Sequence, residues 1–213
     1  MISRDEAIEA YILQHMDEES DYLKALYRQT HVKLINPRMT SGHLQGRLLK
    51  MLVQMVRPQR VLEIGTFTGY SAICMAEGLQ EGGKVYTFDV NDELEDFTRK
   101  WIEGSPVADK ICYKIGSALD EAPALGVTFD LVFIDGDKRE YIEYYQMAMD
   151  ILRTGGWIIA DNTLWDGHVI EPDRRDAQTE SVRRFNELIG KDNRVEKVIL
   201  PLRDGLTIIR KIE

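Results

Sequence analysis

Short apolar runs alternate along this chain with longer segments in which apolar residues recur at helical spacing. The runs that predict strands occupy residues 61–64, 84–88, 111–115, 129–134 and 157–160, and a helical segment follows each of them. Buried apolar strands that alternate with helices are typical of a parallel sheet covered on both faces. The pattern therefore predicts an α/β fold with a doubly wound sheet and right-handed connections.

The chain departs from this alternation at both of its ends. Residues 5–34 carry apolar positions at helical spacing, which predicts two helices ahead of the sheet. Residues 195–200 and 206–212 predict a hairpin, which makes the last strand antiparallel to its partner. We expect seven strands in a single domain, residues 1–213, with a helical N-terminal extension over residues 1–36.

Charge and cysteine content limit the classes of partner. The formal net charge of −9 argues against sequence-independent binding of nucleic acid or of anionic membranes. No apolar run has the length needed to span a bilayer, and the first residues carry no stretch typical of a signal peptide. Cys74 and Cys112 lie in apolar contexts, which predicts buried free thiols. We expect a cytoplasmic protein without nucleic-acid or membrane partners.

A glycine-containing turn follows the first predicted strand. Gly65 and Gly69 have the spacing Gly-x-x-x-Gly, which lacks the middle glycine of the dinucleotide-binding pattern and makes a nicotinamide cofactor less favoured. Asp89 follows the second strand, where an acidic residue can accept hydrogen bonds from ribose hydroxyls. A tight turn with a helix-capping aspartate is the structural alternative. Gly65 and Asp89 together favour a ligand that carries a nucleoside.

Oxygen-bearing side chains follow two further strands. Asp135 comes directly after the run 129–134, and Asp161 and Asn162 come directly after the run 157–160. In a doubly wound sheet, ligands bind outside the carboxyl ends of the strands. Two carboxylates and an amide are hard ligands suited to Mg²⁺, Ca²⁺ or Mn²⁺. Lys138 lies three residues after Asp135 and within reach of the same crevice.

Each of these residues also has an ordinary structural explanation. Asp135 or Asp137 would suit the cap of the next helix, and Lys138 would suit a solvated loop. Asp161 and Asn162 together would suit an Asx turn. Tyr141 is expected to face the core from its helix. The joint occurrence of the carboxylates, the amide and the lysine at two strand ends favours a functional site.

Six stretches, taken in order and at their spacing, carry a resemblance to a known family. They occupy residues 39–46, 63–71, 88–91, 133–138, 161–165 and 200–206. The chain resembles the cation-dependent O-methyltransferases, the group that contains catechol and caffeoyl-CoA O-methyltransferases. The small residues of Gly136-Asp137-Lys138 bring it nearer to the caffeoyl-CoA branch. The resemblance implies a Rossmann-like methyltransferase sheet, S-adenosylmethionine (SAM) as cofactor, and a homodimer.

The same resemblance implies a set of cofactor-binding residues. They are Met39, Ser41, Glu63, Gly65, Thr66, Ser71, Asp89, Ala118 and Asp135. Ser41, Glu63, Gly65, Thr66 and Ser71 would surround the methionine end of SAM, Asp89 would hold the ribose, and Ala118 would lie by the adenine. A carboxylate such as Glu63 can serve a cationic amine, which agrees with this assignment.

The metal and catalytic residues also follow from the resemblance. Asp135, Asp161 and Asn162 match the metal ligands, with Mg²⁺ expected and Ca²⁺ or Mn²⁺ as alternatives. Lys138 matches the general base, and Asp135 is placed beside it among the catalytic residues. A nearby dication disfavours the ammonium form of a lysine, which would leave a neutral amine to take a phenolic proton.

The expected acceptor is a small aromatic molecule with vicinal hydroxyls, and its identity stays open among catechols, caffeoyl esters and flavonoids. No run of Lys and Arg indicates a site for the phosphates of CoA. Arg174 and Arg175 lie among acids in residues 171–176, which suit a solvated loop. Trp165 would flank the substrate or pack the loop. Competing interpretations are a methyltransferase for nucleic acid or protein, a non-catalytic SAM-binding module and a nicotinamide oxidoreductase.

Overall fold

One sheet organises the part of the chain that the computed structural model describes. This part comprises residues 4–213, with side chains from residue 7 onward, so positions 1–3 of the expected extension lie outside it. The strands are β1 (Arg60–Ile64), β2 (Lys84–Asp89), β3 (Ile111–Ile115), β4 (Phe129–Ile134), β5 (Leu152–Ala160), β6 (Val195–Leu200) and β7 (Leu206–Lys211). Their order across the sheet is β3-β2-β1-β4-β5-β7-β6.

Helices precede the sheet and connect its strands. They are α1 (Arg4–Gln14), α2 (Asp21–Lys33), α3 (Gly42–Val56), α4 (Tyr70–Gly78), α5 (Glu95–Glu103), α6 (Ala118–Ala124), α7 (Tyr141–Ile151) and α8 (Ala177–Lys191). The prediction of two helices ahead of the sheet is confirmed by α1 and α2. None of these helices combines the length and the apolar composition that crossing a membrane requires.

The topology confirms the predicted doubly wound sheet. Strand β1 pairs in parallel with both β2 and β4, and the chain winds outward from β1 in one direction and from β4 in the other. The last strand, β7, is antiparallel as predicted and lies between β5 and β6. The order reverses between β1 and β4, which is where a doubly wound sheet opens a ligand-binding crevice.

The central strands are buried on both faces, which explains their continuous apolar sequence. On β4, Val132 and Ile134 pack into one core cluster with α7 and α8, and Leu131 and Phe133 pack into a second cluster with α3 and α4. All four side chains are fully buried. This packing fixes where β4 ends and therefore where Asp135 emerges.

Two expectations from the sequence need correction. Cys74 is buried as predicted, but Cys112 is exposed. It lies on the edge strand β3, where alternate side chains face solvent. Strand β5 begins at Leu152, five residues before the predicted run, and includes the glycine pair at 155–156. Its register against β4 shifts between Phe129 and Leu131, which accommodates the glycines.

Candidate active site

The turn after β1 packs directly on the end of β4. Gly65 has φ +95°, and a Cβ on it would overlap the carbonyl oxygen of Asp135. The backbone N–H of Gly65 donates to Phe88 O at 2.9 Å, and that of Asp135 donates to Ile64 O at 2.9 Å. Only glycine combines this φ with so close an approach. The turn and the first candidate metal ligand therefore meet at the point where the strand order reverses.

Asp89 holds this turn from the end of β2. Its Oδ2 accepts hydrogen bonds from the backbone N–H groups of Thr66, at 3.0 Å, and Phe67, at 2.7 Å. Its Oδ1 accepts from the N–H of Asn91 at 2.9 Å. Asp89 thus supports a tight turn, which was the structural alternative to ligand binding. A carboxylate nevertheless offers about four acceptor positions. At least one position remains for a ligand hydroxyl.

Glu63 is a fully buried carboxylic acid beneath the turn. Thr87 Oγ1 donates to Glu63 Oε2 at 2.5 Å, and Thr66 Oγ1 lies 2.6 Å from Thr87 Oγ1. The other oxygen, Oε1, has no hydrogen-bond partner among the described residues. Burial raises the pKa of Glu63 to about 8, although Ser71 and Thr87 favour the ionised form. A buried acceptor without a partner fits the ammonium group of an amino-acid ligand.

The remaining cofactor candidates take different positions around the crevice. Ser71 lies in the first turn of α4, and Ala118 begins α6; both are buried. Ser41 is also buried, and its carbonyl oxygen accepts a hydrogen bond from Arg203 Nη1. Met39 is different, because 59% of it is exposed and no hydrogen bond links its side chain to the other candidates. Of the residues expected to bind the cofactor, Met39 is therefore the one that these contacts support least.

The second cluster forms at the ends of β4 and β5. The N–H of Asp161 donates to Ile134 O at 3.0 Å, which holds the two strand ends together. Asp161 is buried, with Oδ1 accepting from Asn162 N at 2.8 Å and Oδ2 accepting from Gln45 Nε2 at 2.5 Å. Asn162 has φ +55° and directs Nδ2 towards Asp204 Oδ2 at 3.4 Å. Its amide oxygen is left to serve as a ligand.

The donor set fits a hard divalent cation. Burial raises the pKa of Asp135 above its ordinary value; the Lys138 ammonium opposes this shift, and the adjacent Asp161 carboxylate adds to it. A dication between the two carboxylates would offset their mutual repulsion. Among the side chains from residue 7 onward, no three from His, Cys, Asp or Glu are grouped to hold a metal. The candidate site therefore depends on the Asn162 amide together with the two aspartates.

Lys138 is enclosed, which contradicts the solvated-loop alternative. Its side chain is 9% exposed, and Nζ donates to Asp135 Oδ1 at 3.0 Å, Gly136 O at 3.3 Å and Tyr141 OH at 2.6 Å. Three donated hydrogen bonds are the capacity of an ammonium group. The capping alternative is realised at Asp137, whose Oδ1 accepts from Arg139 N at 2.9 Å. The lysine amine thus points at the first candidate metal ligand.

Three residues that sequence reasoning did not place in the site hold these groups in position. The Tyr141 hydroxyl donates to Asp161 O at 2.9 Å while accepting from Lys138, in addition to its predicted place in the core. Arg203 Nη1 donates to Gln45 Oε1 at 3.3 Å, and the Gln45 amide donates in turn to Asp161. Gln45 lies on the same buried side of α3 as Leu49 and Val53. Because a buried amide needs hydrogen-bonding partners, this position in the sequence could have indicated a polar contact.

A cavity of about 370 Å³ lies between the loop after β5, the start of α8 and the β6–β7 turn. It is lined by Trp165, Asp166, His168, Arg174, Asp176, Gln178 and Asp204. The carbonyl oxygen of Asp204 accepts from Leu164 N at 2.7 Å and from Trp165 N at 3.1 Å, which ties the β6–β7 turn to the loop after β5. Asp204 also accepts a hydrogen bond from Asn162 Nδ2 at 3.4 Å, which connects the cavity wall to this candidate metal ligand.

Comparison with known proteins assigns the family. The O-methyltransferase family matches residues 13–212. A caffeoyl-CoA O-methyltransferase of Arabidopsis thaliana is 38% identical over 188 residues, which cover 82% of this chain and 72% of the relative. The structure of the O-methyltransferase TomG from Streptomyces achromogenes, in complex with SAM, is 29% identical with a TM-score of 0.90 and covers 97% of this chain and 96% of its own. An O-methyltransferase from Bacillus cereus in complex with SAH is 30% identical, with a TM-score of 0.88 and coverage of 96% and 97%. The resemblance predicted from the sequence is confirmed, and this chain belongs to the O-methyltransferase family.

Proposed function

We propose that this protein transfers the methyl group of SAM to one hydroxyl of a small aromatic acceptor with vicinal hydroxyls, with the help of a divalent cation. The approach of Gly65 to Asp135 is the observation that carries the proposal. It brings the turn that would hold the methyl donor against the oxygen cluster that would hold the acceptor. Such positioning supplies much of the rate of a two-substrate transfer.

The crevice residues would bind SAM as follows. Glu63 would receive the ammonium group at its unpaired Oε1, and Asp89 would accept from the ribose with its remaining acceptor position. Ala118 would lie by the adenine. The backbone around Gly65 and Thr66, with Met39, Ser41 and Ser71, would complete the methionine end, and Asp135 would border it. Solved structures of relatives at 29% and 30% identity in complex with SAM and SAH support SAM as the cofactor.

Asp135, Asp161 and Asn162 would hold the cation, for which Mg²⁺ suits the oxygen donors and Ca²⁺ or Mn²⁺ are alternatives. A bound dication supplies positive charge that favours ionisation of a nearby phenol, whose pKa is ordinarily about 10. The burial of Asp161 and the hydrogen bonds to both its oxygens would fix the carboxylate before the cation arrives.

Lys138 would take the proton from the acceptor hydroxyl. Its Nζ is held between Asp135 Oδ1 and Tyr141 OH, so the amine has a defined position at the edge of the oxygen cluster. A dication held by Asp135 would offset the charge of this carboxylate and weaken its ion pair with Lys138. As a general base, the amine would take the proton from the acceptor hydroxyl while that oxygen attacks the methyl group of SAM.

We also propose that residues 1–213 work as one methyltransferase domain in a cytoplasmic homodimer. Apolar side chains of α1 support the dimer: Tyr11 is 63% exposed and Ile8 is 48% exposed. Burial of such a face would remove apolar surface from water. Sedimentation velocity tests this, because Tyr11→Lys should shift a dimeric parent towards monomer. A parent that sediments as a monomer at micromolar concentration would contradict the proposal.

The deciding experiment is a methyl-transfer assay on paired acceptors. Catechols and their monohydroxy analogues are incubated with SAM in Mg²⁺ and in excess chelator, and methylated product is measured by mass spectrometry. We expect turnover of catechols in Mg²⁺, loss of turnover in chelator, and far slower reaction of the monohydroxy compounds. Equal rates with chelator would refute the metal requirement. Binding of SAM without transfer to any tested acceptor would favour the non-catalytic alternative.

A further inference from the structure

The cavity beside Asn162 carries an excess of negative charge. Three aspartates and one arginine are among its seven lining residues, which leaves two net negative charges when His168 is neutral. Its volume of about 370 Å³ lies near the lower end of the range of roughly 300–1,000 Å³ for small-molecule sites. Trp165 offers an aromatic face for a ring. The space therefore suits a compact aromatic acceptor, and its walls repel anions.

Three arginines in or beside the cavity wall are engaged with acids. Arg174 Nε lies 2.6 Å from Asp176 Oδ2, and Arg175 Nη1 lies 3.3 Å from Glu180 Oε1. Arg183 Nη1 lies 2.7 Å from the same Glu180 oxygen, and its other nitrogens donate to backbone carbonyls. A phosphate or carboxylate on the acceptor would have to break one of these ion pairs to gain Arg174, Arg175 or Arg183 as a partner.

Resting on the function proposed above, we propose that this cavity selects uncharged or cationic catechol-type acceptors and rejects anionic ones, including the thioesters of CoA. The mechanism is electrostatic exclusion, in which unpaired carboxylates disfavour the wrong substrate more than they bind the right one. The inference separates this protein from its relatives named caffeoyl-CoA O-methyltransferases, which match it in overall sequence.

Asp166 is the specificity-determining residue in this proposal. It lines the cavity, and its carboxylate makes no hydrogen bond or ion pair to any other described residue. Asp176, by contrast, is bound by Arg174 and caps α8 by accepting from Thr179 N at 2.9 Å. The backbone of Asp166 has φ +52°, a conformation that asparagine adopts readily. Asp166→Asn therefore removes the charge and keeps the shape of the loop.

The test compares acceptors that share the 3,4-dihydroxyphenyl group and differ in charge. Dopamine, methyl caffeate, caffeic acid and caffeoyl-CoA are assayed for kcat/KM at low and at high ionic strength. We expect dopamine and methyl caffeate to exceed caffeic acid and caffeoyl-CoA by about tenfold or more at low salt. High salt should narrow this ratio, because the distance over which exposed charges act falls from about 10 Å at 0.1 M salt to about 3 Å at 1 M.

The variant Asp166→Asn should raise the ratio of kcat/KM for each anionic acceptor to kcat/KM for methyl caffeate several-fold. Asp109→Asn is the matched control, since Asp109 is an exposed aspartate in the short helix before β3, at the opposite end of the strands. Caffeoyl-CoA as the best acceptor, or a preference that neither salt nor Asp166→Asn alters, would overturn the inference. Failure of every acceptor to react would instead overturn the proposed function, so the two failures are distinguishable.

Discussion

The side-chain amide of Gln45 donates from Nε2 to Asp161 Oδ2 at 2.5 Å and joins residues 116 positions apart in the sequence. Arg203 Nη1 donates to Gln45 Oε1 at 3.3 Å, which orients the amide, because a guanidinium can only donate. Arg203 thus holds Gln45, and Gln45 holds the carboxylate of Asp161. Groups that orient a metal ligand in this way commonly contribute to the affinity for the metal.

Gln45→Leu should weaken metal binding. The change keeps the side chain's bulk but leaves a buried oxygen of Asp161 without a donor, which costs about 1–3 kcal/mol of stability. Loss of ligand orientation typically lowers metal affinity by about 10–100-fold. Calorimetry with Mn²⁺ measures the effect. The same substitution at the exposed Gln54 on α3 is the control and should bind as the parent does. Equal Mn²⁺ affinity in Gln45→Leu and the parent would remove this role.

Glu63 should make the stability of the ligand-free protein fall with rising pH. Burial raises its pKa from 4.5 to about 8, so between these values the folded state binds more protons than the unfolded state. The stabilisation is fully present below pH 4.5 and is lost as the pH rises through 8, by at most on the order of 5 kcal/mol. Urea unfolding at pH 6 and pH 9 should show this loss in the parent and a smaller one in Glu63→Gln. Parallel profiles for both proteins would contradict the assignment.

Asp89→Asn should lower SAM affinity and loosen the turn. The variant loses a charge-assisted hydrogen bond, worth about 1.5–3 kcal/mol, which predicts a fall in affinity of roughly tenfold to a hundredfold. An amide keeps one oxygen to accept from Thr66 and Phe67, so the fold should persist with reduced stability. Titration calorimetry with SAM measures the loss, and Asp92→Asn, at an exposed aspartate three residues later, serves as control. Unchanged affinity in Asp89→Asn would remove the ribose assignment.

The sequence predicted the parts of the fold that local patterns determine. The bounds of β4 follow from an apolar run, because residues buried on both faces must all be apolar. The start of α8 at Ala177 is set by Asp176, whose side chain accepts from Thr179 N, and the apolar spacing further along the helix does not determine it. The exposure of Cys112 was missed, because strand order decides which strand lies at an edge.

The candidate site likewise contains some residues that local patterns predict and others that only the tertiary fold brings together. Asp135, Asp161 and Lys138 could be proposed from their places just after strands, where the topology brings side chains together. Arg203 gave no local signal, because its partners lie in residues 38–45 and meet it only through the tertiary fold. The support that Asp89 gives to the glycine turn likewise depends on contacts between two strand ends.

Lys138→Met should slow the chemistry much more than it weakens cofactor binding. Methionine keeps the length of the apolar stem and removes the amine that contacts Asp135 and Tyr141. General-base assistance is typically worth about 10²–10⁴-fold, so the single-turnover methyl-transfer rate at neutral pH should fall within that range. The dissociation constant of SAM should stay close to that of the parent. The deficit should shrink towards pH 10, where a phenol ionises without a base. Lys191→Met, at the exposed end of α8, is the matched control and should react at the parent's rate. If Lys138→Met reacted equally fast at neutral pH, the cation alone would suffice to ionise the acceptor, and the buried amine would serve only as the counter-charge of Asp135.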